Sequence, residues 1–297
     1  MQTKQFKTFP KAYQAYPKIA TGLVRTQLNK LLKKHSQSSA DLPQLCYQVN
    51  DFLVDEEHLQ AFRQICGYHE YNHDHAQIPA IYLVVLAQSV QMQMMSAKDF
   101  PFEVLGLIHT ANKIKQIRPL LISEKLTLSC QFGEMREHEK GIEFSFIIDV
   151  QVNHHSIIQA ETTYLAPQRR KGAKTQTSPI DNPYLDYTMK NTWYLSESLG
   201  RRYATVSGDF NPIHLHAKTA QLFGFKQAIA HGMWTNAKVL ANLELTPAYS
   251  IDVQFKLPIF LPSKIDLMLK QNTDSTDIIV RAHDTHKPHL VAQLHAL

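Results

Sequence analysis

The sequence has few cysteines and no long hydrophobic run. Cys46, Cys66 and Cys130 are an odd number of widely spaced thiols in 297 residues, which excludes a disulfide scaffold and favours reduced cysteines. The longest apolar run, 80–87, is too short to span a membrane. The first 23 residues contain no apolar core typical of a secretory signal. We therefore expect a cytoplasmic protein without a membrane span.

Several nucleotide-binding and hydrolase motifs are also absent. The chain has no P-loop, no glycine fingerprint for a dinucleotide and no G-x-S-x-G elbow. Its net charge of +5 is too small for a dedicated nucleic-acid binder. A mild positive excess of this kind suits a polyanionic small ligand or an acidic carrier protein.

The chain divides into two halves around a polar, basic stretch. We predict an N-terminal domain over 1–167, a linker over 168–182 and a C-terminal domain over 183–297. The linker contains Arg169, Arg170, Lys171 and Lys174, which we interpret as a solvated segment.

Each half contains an apolar helix followed by strands. The helices are predicted over Ala80–Met95 and 232–245, and both are apolar on nearly all sides, which is typical of buried helices. Alternating apolar residues predict strands, namely 125–131, Ile142–Val152, 156–165, 251–257, 265–269, 278–282 and 290–297. The first half matches the second at an offset of 139 residues around Pro119 and of 151 residues around Ile78, which favours an internal duplication. The fold class is α+β, with each sheet curled around a helix.

One short stretch of the second half carries a carboxylate and an imidazole. Asn211-Pro212 is a strong helix start, so His214 falls in a first helical turn and Asp209 lies just before it. A neutral imidazole beside a carboxylate can hold and polarise water. Helix caps often contain such residues without any catalytic role, so the pattern alone leaves both interpretations open.

A second short stretch begins the second apolar helix. In Ala230-His231-Gly232-Met233, the glycine lets a ligand approach the backbone. The first N–H groups of a helix lack intrahelical acceptors and can bind an oxyanion.

Together, Ser207-Gly-Asp209-x-Asn211-Pro212-x-His214 and Ala230-His231-Gly232-Met233 resemble the MaoC-like family of hot-dog proteins. Within that family, the match is to the (R)-specific enoyl-CoA hydratases, also called hydratase 2 enzymes. The resemblance covers about 190–297. The first half resembles, more loosely, the degenerate N-terminal unit of two-domain members. The resemblance thus implies a double hot-dog, with two antiparallel sheets each wrapped around a long buried helix.

The resemblance also implies a lyase. Asp209 and His214 would activate one water, which adds to C3 of a trans-2-enoyl thioester, and a proton would be delivered to C2. The product would be the (R)-3-hydroxyacyl thioester. Asn211 would orient the pair or the substrate, and the Gly232 N–H would bind the thioester carbonyl. No metal or redox cofactor is implied, and coenzyme A or phosphopantetheine enters only as part of the substrate.

Further residues are assigned to the substrate site with less specific roles. Ser207 and Gly208 shape the turn beside Asp209, while His231 and Met233 flank Gly232. Arg201 and Arg202 either meet the phosphates of coenzyme A or of a carrier's phosphopantetheine, or are plain surface charge. A metal site at His69, His73 and His75 with Asp74 matches no strong ligand motif.

The first half lacks the chemistry of the second. It has no D-x-N-P-x-H, and Ala80-Ile81 stand where the second half has His231-Gly232. We therefore expect a non-catalytic unit that completes the sheet and forms part of the acyl pocket. The oligomeric state is expected to be a monomer with an internal pseudo-dimer, or a homodimer.

Two other functions remain open at this point. A hot-dog thioesterase would hydrolyse the thioester, and a non-catalytic subunit would bind acyl groups or assist assembly. The Asp-x-Asn-Pro-x-His stretch argues against both.

Overall fold

One sheet of eleven strands runs through the computed structural model, which describes residues 2–10, 41–68, 74, 76–168 and 186–297. The strands of the first half are β1 (Gln2–Phe6), β2 (Leu45–Phe52), β3 (Gln77–Ile78), β4 (Ile108–Gln116), β5 (Leu120–Leu121), β6 (Leu126–His138), β7 (Gly141–Val152) and β8 (His155–Pro167). Its helices are α1 (Glu56–Cys66), α2 (Ala80–Met95) and a short 3₁₀ helix (Val104–Gly106).

The second half supplies five more strands and four helices. The strands are β9 (Thr188–Leu195), β10 (Tyr249–Phe255), β11 (Ser263–Gln271), β12 (Thr276–Ala282) and β13 (Pro288–Ala296). The helices are α3 (Leu199–Ser207), α4 (Pro212–Leu215), α5 (Ala217–Gln221) and α6 (Gly232–Leu240).

The two halves share one strand order. Across the large sheet the order is β1-β2-β6-β7-β8-β4-β10-β13-β12-β11-β9. Without β1, which is parallel to β2, each half places its first, third, fourth, fifth and second strands side by side. In both halves, a residue two or three positions before the buried helix also pairs with a residue that precedes the third long strand of that half, as Ile78 with Leu120 and Ile229 with Phe260. The repeated topology supports the duplication, and the expected double hot-dog is confirmed.

The buried helices differ in length. α2 spans the predicted Ala80–Met95 and is buried on most sides. α6 is buried too, but it ends at Leu240 and not at 245. The Asn242 side-chain amide donates to the Lys238 carbonyl at 2.7 Å, which satisfies an acceptor of the last turn and ends the helix.

The halves are joined along their central strands. β4 and β10 pair antiparallel, from Tyr249 opposite Gln116 to Gln254 opposite Ala111. Trp234 Nε1 donates to the Ile65 carbonyl at 2.9 Å, and the Asn236 side-chain amide donates to Asn112 Oδ1 at 3.2 Å. Across this junction, α2 packs against α6, and Asp209 lies beside residues of the first half.

The structure bears on the expectations about the cysteines and membrane spans, but not on those about the histidine cluster and the linker. All three cysteines are free and buried. Within the described residues, no helix is both long enough and apolar enough to cross a membrane. His69, His73, His75 and linker residues 169–182 lie outside the described residues, so the domain boundaries stay a prediction.

Candidate active site

A left-handed turn and a helix cap place the Asp209 carboxylate. α3 ends at Gly208, whose φ of 74° belongs to the left-handed region that glycine adopts without strain. The Asp209 N–H donates to Ser207 Oγ at 3.2 Å, and the Asn211 N–H donates to Asp209 Oδ1 at 3.1 Å. Asn211 in turn caps α4, accepting from the Ile213 N–H at 3.4 Å. The Asn211 N–H thus holds the Asp209 carboxylate, and Ser207 holds the Asp209 backbone.

Close contact between α3 and α4 fixes His214. A Cβ at Gly200 would lie 1.9 Å from the His214 carbonyl oxygen, so only glycine permits this approach. Arg201 donates to the Leu215 carbonyl at 2.9 Å and holds the end of α4. The chain then becomes extended at His216, with φ −148° and ψ 150°, before α5 begins. The helix that starts at Pro212 therefore ends after one turn, and the chain between Asn211 and Gly224 forms two short helices, α4 and α5.

His214 has one ring nitrogen bonded and the other available. Its Nδ1 lies 2.8 Å from the Ile229 carbonyl, which as an acceptor requires Nδ1 to carry the proton. The Nε2 lone pair is then free to accept a proton. Burial lowers the pKa of His214, while the Asp209 charge and the Ile229 carbonyl oppose that shift. Because α4 has only four residues, burial, and not a helix dipole, keeps the imidazole neutral.

His231 contacts both His214 and Asp209. Its ring stacks on the His214 ring, with centroids 3.7 Å apart and planes 25° from parallel. Its Nε2 donates to the Asp209 backbone carbonyl at 3.0 Å. Burial, and then the neighbouring His214, lower the pKa of His231 to about 3, so the ring is neutral. The structure shows His231 in contact with both catalytic candidates, and its place in the substrate site stays a prediction.

The polar atoms of the three side chains lie close together. One nitrogen of each histidine and a carboxylate oxygen of Asp209 all lie within 4.8 Å of one another. A water at a hydrogen-bond distance of about 2.8 Å from two such atoms bridges a gap of this size. The same donors are of the types that bind a metal ion, but two ring nitrogens are already occupied by carbonyls.

A cavity of about 70 Å³ opens beside this group. The second half contributes Ser207, Asp209 and Asn211 to its walls, and the first half contributes the rest: Gln88, Met92, Met95, Val104, Leu105, Leu107 and Tyr164. Gln88, Met92 and Met95 follow one another at helical spacing along one face of α2. Apart from Gln88 and Tyr164, the first-half wall is apolar. The cavity therefore joins the carboxylate to a pocket suited to a chain of methylene groups.

Gly232 begins α6, as predicted, but an aromatic ring lies against it. A Cβ added there would come within 3.0 Å of the Phe255 ring. Phe255 packs edge-on against His109, with centroids 4.8 Å apart, and His109 stacks on Tyr164. The absence of a side chain at Gly232 is thus needed for packing, whatever ligand approaches the backbone.

The remaining predicted residues lie around the site. Met233 is buried within α6. The Arg201 guanidinium is bonded to the end of α4 and does not line the cavity. Arg202 is exposed on α3. Any role of Arg201 and Arg202 in phosphate binding stays a prediction.

Sequence reasoning missed the residues that the first half brings to the cavity. Tyr164 and His109 lie near enough to Asp209 for its charge to raise the pKa of both, although burial is the larger effect and lowers the pKa of His109 to about 4. The sequence signal was the three glutamines that interrupt apolar α2, Gln88, Gln91 and Gln93, and their role cannot be read until the two halves are packed together.

Comparison with known proteins agrees with this geometry. Residues 174–287 match the MaoC like domain. The chain is 31% identical over 259 residues to 3-hydroxyacyl-thioester dehydratase X of Mycobacterium tuberculosis, covering 86% of this chain and 91% of the relative. The crystal structure of HtdX from the same organism superposes with a TM-score of 0.72 at 30% identity. The match covers 85% of this chain and 100% of the HtdX chain.

More distant structures share the fold alone. A MaoC-like dehydratase from Phytophthora capsici gives a TM-score of 0.66 at 16% identity, covering 87% of this chain and 97% of the other. The full-length peroxisomal multifunctional enzyme type 2 from Drosophila melanogaster gives 0.64 at 18%, covering 94% of this chain and 52% of the other. From the fold, the paired Asp209 and His214, and the extent of the match to a curated dehydratase, we conclude that this chain belongs to the MaoC-like dehydratase family.

Proposed function

We propose that this protein is a hydro-lyase that reversibly hydrates trans-2-enoyl thioesters to (R)-3-hydroxyacyl thioesters. The observation that carries the proposal is the joint placement of Asp209 and His214 at one end of a cavity whose other wall is largely apolar. The 31% identity to a 3-hydroxyacyl-thioester dehydratase supports the same reaction class.

The hydration step follows from the protonation states. His214 Nε2 accepts one hydrogen bond from a water that the Asp209 carboxylate also holds. As the water oxygen bonds to C3, its proton moves to this pair and the C2–C3 π electrons shift toward the thioester oxygen. The electrons then return to C2, which takes a proton from the same pair, so atoms and charges balance. Dehydration is the reverse sequence.

The negative charge on the thioester oxygen needs a donor. The backbone N–H of Gly232 stands at the start of α6, where N–H groups lack intrahelical acceptors. A donor aimed at a developing oxyanion contributes about 10²–10³ in kcat. We assign this role to Gly232, with the Phe255 ring beside it shielding the carbonyl from water.

The first half supplies the acyl pocket and no reacting group in this scheme. Met92 and Met95 on α2, with Leu105 in the 3₁₀ helix and Leu107 just after it, form its apolar wall. The carrier is coenzyme A or an acyl carrier protein, and its phosphopantetheine belongs to the substrate. The chemistry requires no resident metal or redox cofactor. We expect a cytoplasmic protein that is either a monomer, with its halves in the place of two subunits, or a homodimer.

Incubation with crotonyl-CoA tests the proposal. Hydration removes the enoyl absorbance without releasing free thiol, and chiral analysis should give the (R)-3-hydroxy product. Release of thiol would instead establish a thioesterase, the alternative raised by the fold. Binding of crotonyl-CoA and longer enoyl thioesters with no turnover on either carrier would contradict the lyase assignment and favour a non-catalytic acyl-binding subunit.

A further inference from the structure

Two glutamines stand on the otherwise apolar face of α2 that meets the cavity. Gln88 lines the cavity together with Asp209, and Gln91, one turn further on, is completely buried. Tyr164 from β8 closes the same polar patch: its hydroxyl donates to Gln91 Oε1 at 3.1 Å and lies beside the Gln88 amide. The patch belongs to the first half, which we expected to form part of the acyl pocket.

The hydrogen bonds of this patch are incomplete. Gln88 Oε1 and Gln91 Nε2 are both buried and have no hydrogen-bond partner. A buried polar atom without a partner costs about 1–3 kcal/mol. Ser89 on the same helix shows the usual solution, since its hydroxyl donates to the Leu86 carbonyl at 2.8 Å. No donor of α2 reaches Gln88 Oε1. Gln88 does, however, line the cavity that we propose receives the substrate.

We propose that Gln88 Oε1 accepts a hydrogen bond from an O–H or N–H donor of the bound thioester, and that a hydroxyl on the acyl chain is the preferred donor. The proposal rests on the proposed function, because it takes Asp209 as the end of the cavity where the enoyl carbons react. Gln88 lines the cavity together with Met92, Met95 and Leu107, so its unpaired oxygen belongs to a part of the wall that is otherwise apolar. A plain alkyl chain leaves this oxygen unpaired, whereas a chain with one hydroxyl can satisfy it and should bind more tightly.

Gln88→Leu and Gln88→Met remove the acceptor and keep a side chain of similar size. We would measure kcat and KM for pairs of trans-2-enoyl-CoA substrates that differ only by one chain hydroxyl, placed at successive carbons beyond C4. The wild type should prefer one hydroxylated member by roughly 5- to 100-fold in kcat/KM, as expected for one buried hydrogen bond. Both variants should lose that preference, so that the ratio of kcat/KM between the two members of the pair falls toward 1.

Gln93→Leu is the matched control, since Gln93 lies on α2 outside the cavity, and it should behave as wild type. A uniform rise in KM for every substrate in the Gln88 variants, crotonyl-CoA included, would identify a pantetheine N–H as the donor in place of the chain hydroxyl. The proposal is overturned if the Gln88 variants match Gln93→Leu on all substrates. If the wild type hydrates no enoyl thioester, the proposed function fails, and calorimetric binding of the same substrate pairs still tests Gln88 separately.

Discussion

At the residue scale, the candidate site depends on which ring nitrogen of each histidine donates a hydrogen bond to a backbone carbonyl. His214 donates through Nδ1 to Ile229, and His231 donates through Nε2 to Asp209. Because Nδ1 of His214 carries the proton, its Nε2 can act as a base. The hydrogen bond from His231 instead holds the backbone of Asp209. Two adjacent histidines thus take different roles because of the acceptors they meet.

Loss of either catalytic candidate should lower turnover without preventing folding. Asp209→Asn and His214→Ala should each reduce kcat for crotonyl-CoA hydration by roughly 10²–10⁴, the usual scale for acid–base catalysis. Because both act on one water, the double variant should be far less impaired than the product of the two losses. Steady-state kinetics with circular dichroism as a folding control decide this. Near-wild-type turnover in both single variants would remove the assignment.

The pH profile should reflect a histidine that resists protonation. Burial lowers the pKa of His214 below its ordinary value of about 6.5. The neutral, active form therefore persists below pH 6.5, and kcat/KM should fall only as pH drops through the lowered pKa. A profile of kcat/KM for crotonyl-CoA from pH 4.5 to 8 measures this limb. An acid limb at or above pH 6.5 would contradict the assignment.

The same burial links stability to pH. The unfolded chain binds a proton on His231 near pH 6.5, but the folded chain does so only near its lowered pKa of about 3. Folding is therefore favoured above pH 6.5 and is weakened by about 1.4 kcal/mol per pH unit below it for each such histidine. Urea unfolding at pH 7.5 and 5.5 measures the loss. His231→Gln should reduce that pH dependence.

Gly232 has two candidate roles that a double variant separates. Gly232→Ala places a methyl group against the Phe255 ring, and Phe255→Leu makes room for it. If glycine is needed for the thioester carbonyl to approach, the pair should remain roughly 10-fold or more slower in kcat than Phe255→Leu alone. Full recovery in the pair would show that packing against Phe255 is the only reason for glycine. Thermal unfolding of all three variants shows whether the packing was restored.

Prediction from sequence succeeded at this scale only where the chemistry is local. Asp209, Asn211 and His214 lie within six consecutive residues, so cap and turn preferences sufficed to bring them together. Gly200 offers no such signal, because its need arises from the His214 carbonyl on another helix. Tyr164 and Gln88 reach Asp209 only through the packing of the two halves, which no local pattern encodes.

At the scale of elements, prediction depended on how regularly apolar residues alternate. β7 and α2 were predicted almost to the residue, because most of their buried positions are apolar. β4 was not predicted, since two of its inward residues, Asn112 and Gln116, are polar and buried. Both bond to other parts of the fold: Asn112 contacts Thr162 and Asn236, and Gln116 donates to the Pro247 carbonyl at 2.9 Å. The strand that joins the halves is therefore the one whose pattern is least strand-like.

The buried Asn112–Asn236 pair should stabilise the junction. Asn112→Leu or Asn236→Leu leaves the other amide buried with a lost partner, which should cost about 1–3 kcal/mol of unfolding free energy. The double variant should lose less than the sum, because no orphaned amide remains. Urea unfolding of the four proteins gives the coupling. Lys113→Ala, on the exposed side of β4, should change stability by less than about 0.5 kcal/mol. Strict additivity would contradict a direct interaction.

At the scale of the whole molecule, the duplication allows the sheet of each half to cover one edge of the other. β4 and β10 are the edge strands of their own halves, and pairing them satisfies a full ladder of backbone groups. α2 and α6 pack against each other across the same junction. Only the second half keeps Asp209, His214 and Gly232, and only the first half supplies Met92, Met95 and Tyr164 to the cavity. Neither half contains a complete site.

The isolated second half should therefore fail in two distinct ways. Residues 186–297 alone expose the β10 edge and the apolar surface of α6, so the fragment should aggregate or pair with itself. Its hydration of long enoyl thioesters should be lost, because the acyl wall is absent while the Asp209–His214 pair is present. Co-expression with residues 1–167 should restore a soluble complex and activity, since the two fragments carry every paired strand between them. Size-exclusion chromatography and enoyl absorbance measure both properties. A second half that proves soluble, monomeric and fully active would show that the first half contributes neither fold nor pocket, and that one hot-dog unit suffices.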